Sequence, residues 1–369
     1  DFAPFYPIGF STSEYSRGLT APRVTNFNLT VQRQIDKQTV ASLGYVGAIG
    51  RHEEGSYNIN PAGRSTPIRG SYNPVAQAIP GCTDYTLAAS TCAPQTFQFN
   101  PTIYGQIGVF GTGFNNNYNS LQASINRHMA NGLQFQAAYT WSRNFDYTSS
   151  FENSGFNQPG FNPWNFRQNY GPSSNDAPQR LVVNYVYTLP IYRLSGNRMK
   201  MLTDGWTITG ITTFQKGFPV NVFQVSGTDL TTGIGVNYYN APSFVDRTSA
   251  PLDIGGNPRK SNLGGVPNAW LNPAAFAVPA VGVMGNANRN PFYAPGLNFW
   301  DMGIYKDIKF TESKYIEIRM DTFDTFNHAN FAAPSSIVGF PTFGQILSVQ
   351  DITTNGAGRV VQLAGKVYF

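Results

Sequence analysis

The chain is poor in charge and has no long apolar run. Asp, Glu, Lys and Arg make up 12% of its 369 residues, about half of the roughly 25% found in soluble domains. The net charge of +5 is scattered, with no Lys/Arg cluster interleaved with stacking aromatics, which argues against a nucleic-acid partner. No apolar run approaches the roughly 18 residues of a transmembrane helix. Helical spacing of apolar residues is also missing, so the pattern indicates an all-β chain.

Residues that carry catalysis or bind metals are scarce too. The three histidines, His52, His128 and His328, are far apart and lack the spacing of metal ligands. Nucleophile-elbow, P-loop and dinucleotide-binding motifs are missing. Asp321 and Asp324 resemble a carboxylate pair, but three positions apart on a strand they point to opposite faces. The sequence therefore predicts neither an enzyme nor a cofactor.

The chain has only two cysteines, Cys82 and Cys92, in a stretch rich in Pro, Ala, Thr and Ser. Two unrelated buried thiols are one interpretation of this pair. In an exported loop a disulfide is the favoured interpretation, because oxidising compartments preserve such bonds. Closing so short a loop would stabilise it by about 2–3 kcal/mol on the chain-entropy estimate.

The chain is rich in segments in which apolar and polar residues alternate. It recurs in segments of about ten residues, the length of a tilted strand that crosses a bilayer. The predicted strands are 24–35, 39–49, 119–128, 133–143, 180–189, 205–215, 298–309, 314–326, 342–351 and 359–369. In the last one the apolar side chains share a face and the chain stops on an aromatic, with Val361, Leu363, Val367 and Phe369 on that face. The predicted fold class is all-β, an antiparallel transmembrane β-barrel.

Two long irregular segments, 144–178 and 216–296, contrast with turns of only a few residues. Outer-membrane barrels place long loops outside and short turns in the periplasm. If 359–369 ends in the periplasm and 144–178 lies outside, strands 205–215 and 298–309 both run outward. Neighbours in an up-and-down barrel are antiparallel. The pattern therefore predicts an odd number of further strands, most simply one, within 216–296.

Two sets of residues are candidates for contact with water or with a ligand. One set is polar and alternates with the apolar face of strand 314–326, as a wet lumen requires, namely Glu317, Arg319 and Asp321. The other set consists of loop aromatics that stand among Asn residues, namely Phe161, Trp164 and Phe166. Aromatic rings with amides suit carbohydrate or peptide binding. Alternatively, these aromatics pack the loop onto itself.

Five blocks of sequence carry a resemblance to a known family. They are YNSLQ (118–122), GLQFQAAYTWSRNFD (132–146), GNANRNPFYAPGLNFWDMGIYKDIKFTES (285–313), IEIRMDTFDTFNHANF (316–331) and the RVVQLAGKVYF ending. These blocks resemble TonB-dependent receptors of the Oar-like branch, whose members carry a carboxypeptidase-regulatory-like domain. The resemblance implies a 22-stranded barrel that is closed by an N-terminal plug and powered through TonB. It also implies that the barrel-assembly machinery recognises the terminal residues Val361, Leu363, Val367 and Phe369.

With about 10–11 strands, residues 1–369 are expected to be the C-terminal part of such a barrel, without the plug and the earlier strands. The predicted function is uptake or surface binding of an unidentified extracellular ligand by a receptor in the outer membrane, with the lipid bilayer as a partner. A secreted all-β adhesin or glycan-binding module is the alternative. A barrel exposes its apolar face to lipid, whereas a sandwich buries that face against a second sheet. The residues that distinguish the two are Leu121, Leu133, Phe135, Ile316 and Ile318.

Overall fold

The computed structural model describes residues 12–58, 107–149, 162, 165–190, 203–224, 244–253, 255, 259, 261–279, 285–311, 313–350 and 358–369. Long β-strands dominate these residues, as the alternating pattern predicts. The long strands, labelled in chain order, are β1 (Arg23–Gln34), β2 (Thr39–Asn58), β3 (Ile107–Ala130), β4 (Leu133–Asp146), β5 (Gln179–Thr188), β6 (Trp206–Gln215), β7 (Leu297–Lys309), β8 (Tyr315–Phe323) and β9 (Val360–Tyr368). The described residues also form short 3₁₀ helices at Phe166–Asn169 and Pro273–Ala275. None of the helices in these ranges is long and apolar enough to cross a membrane.

The nine long strands form one sheet in which each strand pairs with its neighbours in the sequence. The order runs from β1 to β9 without a crossover, and every one of these pairings is antiparallel. Two short strands join this sheet at its margin: Thr12–Tyr15 runs parallel to the start of β3, and Gly171–Pro172 pairs with the end of β4. This meander confirms the predicted all-β, antiparallel fold class.

The strand register places the predicted apolar residues on one face of the sheet. Leu29 lies opposite Tyr45, Tyr45 opposite Leu121, and Leu121 opposite Trp141. At the other end of the sheet, Ile304, Met320 and Leu363 are aligned in the same way. We call this apolar side the outer face and the opposite, polar side the inner face. Because side chains alternate along a strand, register and pattern together fix both faces at once.

The prediction of an extra strand within 216–296 is wrong, and so is the predicted strand at 342–351. β6 pairs directly with β7, from Trp206↔Lys306 to Gln215↔Leu297, so nothing is inserted between them. Residues 342–351 make turns and isolated bridges instead. Phe343 and Ile346 are buried, so burial among the loops produces their apolar spacing. Because 342–351 is not a strand, β7 runs toward the short-turn end. β6 and β7 then run in opposite directions, as neighbours in an antiparallel sheet must.

Connections between the strands alternate strictly in length. At one end they are short, namely 35–38, 131–132, 189–205 and 310–314. At the other end they are long, namely 59–106, 147–178, 216–296 and 324–359. Asn131 and Gly132, in the tightest turn, have φ angles of 53° and 79°, which is the conformation that Asn-Gly favours in a two-residue hairpin.

The long connections at one end fold into a small apolar core, which we call the loop cap. Segments 216–296 and 324–359 both contribute to it. Its buried residues are Val222, Val245, Leu271, Ala275, Phe276, Ala287, Phe292, Val338 and Phe343. Two-residue strand pairs tie the cap together, namely Pro219–Val220 with Phe292–Tyr293, Phe223–Gln224 with Ile337–Val338, Asp246–Arg247 with Phe276–Ala277, and Asn262–Leu263 with Val266–Pro267.

Both outermost strands of the long meander have a free edge in the described part of the chain. β1 pairs only with β2, and β9 pairs only with β8. Every residue of β1 is exposed, on the polar as well as on the apolar side. The described strands therefore form an open sheet, whose free edges lie at β1 and β9.

Candidate functional site

The inner face lines a cavity of about 590 Å³. Most of the lining residues belong to the inner face, and they come from β3 at one side of the sheet through to β9 at the other. Strands so far apart in the order can share one cavity only if the sheet curls around it. The inner face is therefore concave, and it is the natural place for a ligand or another domain to lie.

The predicted polar residues of β8 lie on this inner face. Arg319 forms an ion pair with Asp321, and its guanidinium lies 4.5 Å from the ring centre of Tyr305. The Tyr305 hydroxyl donates to Asp321 Oδ1 (3.3 Å) and accepts from Thr209 (3.1 Å). Glu317 lies 3.9 Å from Lys366 on β9. Alternation alone places Tyr305 on the polar side of its strand, but only the register shows that Tyr305 and Thr209 adjoin the polar residues of β8.

A glycine makes room for this polar network. A Cβ atom on Gly303 would lie 2.7 Å from Asp321 Oδ1, 2.8 Å from Thr209 Oγ1 and 2.9 Å from a ring carbon of Tyr305. Such distances are shorter than side chains tolerate, so any larger residue at position 303 displaces one of these groups. The network on β6, β7 and β8 therefore depends on the missing side chain at this position.

Amides occupy the other side of the inner face. Asn126 on β3 is the direct partner of Gln136 on β4, which in turn is the partner of Asn184 on β5. Gln134 lies beside them, and all four line the cavity. Gln134, Gln136 and Asn184 are exposed. We call Asn126, Gln134, Gln136 and Asn184 the amide row. Alternation marks these residues as polar-face positions, but only the register shows that they adjoin.

Buried Arg289 joins the loop cap to the strand ends. Its side chain is 1% exposed and forms an ion pair with Asp146, the last residue of β4. Nη2 of Arg289 donates to Ser149 Oγ at 2.6 Å, and Nη1 donates to the main-chain carbonyl of Asp146 at 2.9 Å. Burial lowers the pKa of Arg289, and the negative charge of Asp146 opposes this effect. The pair thus attaches segment 216–296 to the rim of the sheet.

A second polar contact joins the same parts of the molecule. The hydroxyl of Tyr293 donates to Asp176 Oδ2 at 2.7 Å, and it accepts from Arg143 Nη1 at 2.7 Å. Asp176 also accepts from the main-chain amide of Asn144 at 2.8 Å. Burial, followed by the hydrogen bond to Asp176, raises the pKa of Tyr293. The phenol therefore stays protonated and continues to donate to the carboxylate.

The predicted loop residues fall partly inside the described ranges. Phe166 lies in the 3₁₀ helix Phe166–Asn169, and its ring centre is 5.9 Å from that of buried Phe114 on β3. Phe161 and Trp164 lie outside the described residues, as do Cys82 and Cys92. Among the described residues, no group of three or more His, Cys, Asp or Glu is arranged to hold a metal ion.

The residues predicted as an assembly signal lie on and beside the free edge of β9. Val361, Leu363 and Val367 are on the outer face, where they pair with Thr322, Met320 and Ile316 of β8. They are 53%, 75% and 66% exposed, and Phe369 is 97% exposed. The terminal strand thus presents both an unpaired edge and an uncovered apolar side.

Comparison with solved structures finds similarity to outer-membrane proteins. The solved structures that it resembles include the outer membrane transporter YddB from Escherichia coli, at 11% identity and a TM-score of 0.45 over 97% of this chain and 34% of that one. Another is the pyoverdine outer membrane receptor FpvA from Pseudomonas aeruginosa PAO1, at 11% identity and a TM-score of 0.36 over 95% and 30%. The chain thus spans about a third of the length of these two proteins.

No curated protein matches the chain. The model of the outer membrane beta barrel domain family matches residues 2–362, which is nearly the whole sequence. That match agrees with the antiparallel meander, the uncovered apolar outer face and the alternation of short and long connections. The chain belongs to the outer membrane beta barrel domain family.

Proposed function

We propose that the protein is a receptor barrel of the outer membrane that binds an uncharged polar ligand, a carbohydrate or a peptide, on its inner face. The observation that carries this proposal is the amide row. Within the described residues, no protein hydrogen bond engages the side chains of Asn126, Gln134, Gln136 and Asn184. Each amide offers two donors and an acceptor, so the row presents many free hydrogen-bonding groups to the cavity.

Amides suit a neutral polar ligand better than an ionic one. They bond hydroxyl and peptide groups without the charge that would favour a strongly anionic or cationic molecule. Two charged residues that line the same cavity, Arg319 and Asp321, neutralise each other as an ion pair. The carboxyl of Asp301, which also lines it, accepts a hydrogen bond from the main-chain amide of Asp324. The proposed activity is therefore binding and passage of a ligand, and no catalytic step is invoked.

The outer face supports the barrel and not the adhesin. Of the five residues that distinguish the two, Leu121 and Ile318 are exposed, at 39% and 51%, and the others are only partly buried. No second sheet covers them within the described part of the chain. A sandwich would bury such residues, whereas a barrel in a bilayer leaves them to lipid.

The chain is further proposed to be the C-terminal part of a larger, TonB-dependent barrel. Support comes from the free edges of β1 and β9, because an unpaired backbone group in hydrocarbon costs several kcal/mol. Further strands of the same protein would satisfy these edges. A plug domain would then contact TonB, and the barrel-assembly machinery would receive the β9 end.

Binding of the full-length protein to arrays of oligosaccharides and peptides tests the proposed ligand class. We expect binding to neutral members of one array, and the double variant Gln136→Ala, Asn184→Ala should weaken it. Each lost hydrogen bond is expected to cost about fivefold in affinity. Val183→Ala, on the outer face of the same strand as Asn184, is the matched control and should bind normally. Binding that is confined to charged members, or that the double variant leaves intact, would contradict the proposal.

A further inference from the structure

The outer face contains a groove close to the short turns. Its volume is about 690 Å³, within the range of pockets that hold small molecules. The lining comes from β3, β4, β5 and β6 and the turn between β3 and β4, and it consists of Arg127, Ala130, Asn131, Leu133, Phe135, Tyr185, Tyr187 and Ile208. All of the strand residues in this lining belong to the outer face, so the groove opens toward the lipid.

A glycine explains why the groove is open. Tyr185 is the strand partner of Phe135 on one side and of Gly210 on the other. A Cβ atom on Gly210 would lie 2.4 Å from the Tyr185 hydroxyl oxygen, so the ring lies over the glycine. Tyr185 consequently leans away from Phe135, and a gap remains between the two side chains.

One charged residue stands at the edge of this apolar groove. Arg127 is the direct strand partner of Phe135, and its side chain is 22% exposed. Its Nη1 donates to Thr39 Oγ1 at 2.9 Å and lies 3.4 Å from Asp36 Oδ2, while Nε has no hydrogen-bond partner. Asp36 itself is half-exposed, so water and salt screen its attraction for Arg127.

The surroundings of Arg127 are otherwise basic. Arg33, on the outer face of β1, and Lys37, in the turn that follows, are both exposed. Short turns of outer-membrane barrels lie on the periplasmic side, so these cations are at the level of the inner leaflet headgroups. An apolar groove that continues the lipid-facing surface and ends at a cation is complementary to a lipid with a negative headgroup.

We propose that this groove is a specific site for an anionic phospholipid of the inner leaflet, with its phosphate at Arg127 and an acyl chain against Phe135, Tyr187 and Ile208. The inference goes beyond ligand uptake, and it depends only on the outer face being in lipid. It assigns a ligand to an arginine on the apolar side of the sheet whose Nε has no hydrogen-bond partner in the protein.

Native mass spectrometry of the full-length, delipidated protein in detergent tests the site. The probes are phosphatidylglycerol and phosphatidylcholine with identical chains. We expect one tightly retained phosphatidylglycerol, and Arg127→Gln should weaken its retention about tenfold, as the loss of one charged hydrogen bond implies. Arg33→Gln, which removes a charge from the same end outside the groove, should weaken retention much less than Arg127→Gln. Equal retention by Arg127→Gln, an equal loss in Arg33→Gln, or equal retention of the two lipids would overturn the proposal.

A second pair of variants covers the case in which Arg127→Gln disturbs the turn. Ile208→Trp fills the groove and leaves the ion pair between Arg127 and Asp36 intact. Ile304→Trp is the control. Ile304 is the direct strand partner of Ile208, but Ile304 does not line the groove. Ile208→Trp should lose the bound phosphatidylglycerol, and Ile304→Trp should keep it. Retention in both variants, or loss in both, would contradict a site in the groove.

Discussion

Single polar residues at the rim of the sheet differ greatly in how much stability they can supply. Arg289 and Asp146 are almost completely buried, at 1% and 8% side-chain exposure, so solvent and salt screen their attraction very little. Arg127 and Asp36 form a much more exposed pair, of a kind that contributes about 0–1 kcal/mol. Removing one partner of the buried pair should therefore cost far more stability than removing one partner of the exposed pair.

Replacing Arg289 by Met is expected to loosen the loop cap. The change leaves Asp146 buried without its cation, and loss of one partner of such a pair costs about 3–5 kcal/mol. Limited proteolysis of the folded protein should cleave segment 216–296 faster than in the wild type. Arg143→Met is the comparison variant: it removes the bond from Arg143 to Tyr293, but the Arg143 side chain is half-exposed, so it should raise the cleavage rate less. Cleavage of Arg289→Met at the wild-type rate would show that the buried pair does not hold the cap.

Acid is expected to loosen the turn between β1 and β2. The main-chain amide of Gln38 donates to Asp36 Oδ1 at 2.8 Å, and this bond lowers the pKa of Asp36 below its ordinary value of 3.8. A lowered folded-state pKa contributes stability that is present above 3.8 and is lost as the pH falls through the folded-state pKa. Exchange of the Gln38 amide should therefore lose protection in that acidic range. Asp36→Asn should abolish this pH dependence, and its persistence in the variant would assign the effect to another group.

The strands show which parts of the structure are readable from sequence. Period-two alternation predicts seven of the nine long strands closely and β2 and β3 in part, because every strand has one lipid-facing side. The loop cap is not readable, because Val222, Leu271 and Phe343 meet only through contacts distant in sequence. Apolar spacing in 342–351 mimics a strand for the same reason. Alternation predicts that the polar residues of β8 lie on the inner face. The contacts of Thr209 with Tyr305, and those within the amide row, are shown only by the register between strands.

A charge introduced on the outer face of the sheet is expected to reduce the stability of the barrel more than a charge introduced on the inner face. Ile125 is 43% exposed on the outer face. On β3 it lies between Leu121, the strand partner of Trp141, and Arg127. Ile125→Arg should reduce the stability of the barrel in lipid vesicles, by at most the roughly 2–4 kcal/mol that an arginine costs at the bilayer midplane. Gln136→Arg, on the inner face of the adjacent strand, should cost far less. Urea unfolding from vesicles measures both changes, and equal losses would mean that the outer face is not in lipid.

The end of β9 is expected to control insertion into the outer membrane. Phe369 is almost fully exposed, so its removal cannot cost much packing. If the terminal aromatic is a signal, Phe369→Ser in the full-length protein should lower the amount inserted, whereas Phe369→Tyr should preserve it. Quantification of the protein in the outer-membrane fraction checks this, and equal amounts of the two variants would argue against a signal.

The molecule as a whole combines an apolar outer face, a concave polar inner face and a loop cap at one end. An apolar outer face in a bilayer brings one requirement, that backbone groups in hydrocarbon must be paired within a closed sheet. The described meander satisfies it everywhere except at β1 and β9. Closure by further strands of the same protein is therefore the proposal on which the receptor function depends.

Membrane fractionation of the native full-length protein, followed by electrophoresis with and without boiling, tests the barrel most directly. We predict recovery in the outer-membrane fraction only after detergent extraction, because the outer face exposes Leu29, Leu121 and Leu363. The unboiled protein should migrate as a folded band that shifts on boiling. A protein that is recovered without detergent and shows no shift would contradict the barrel in lipid.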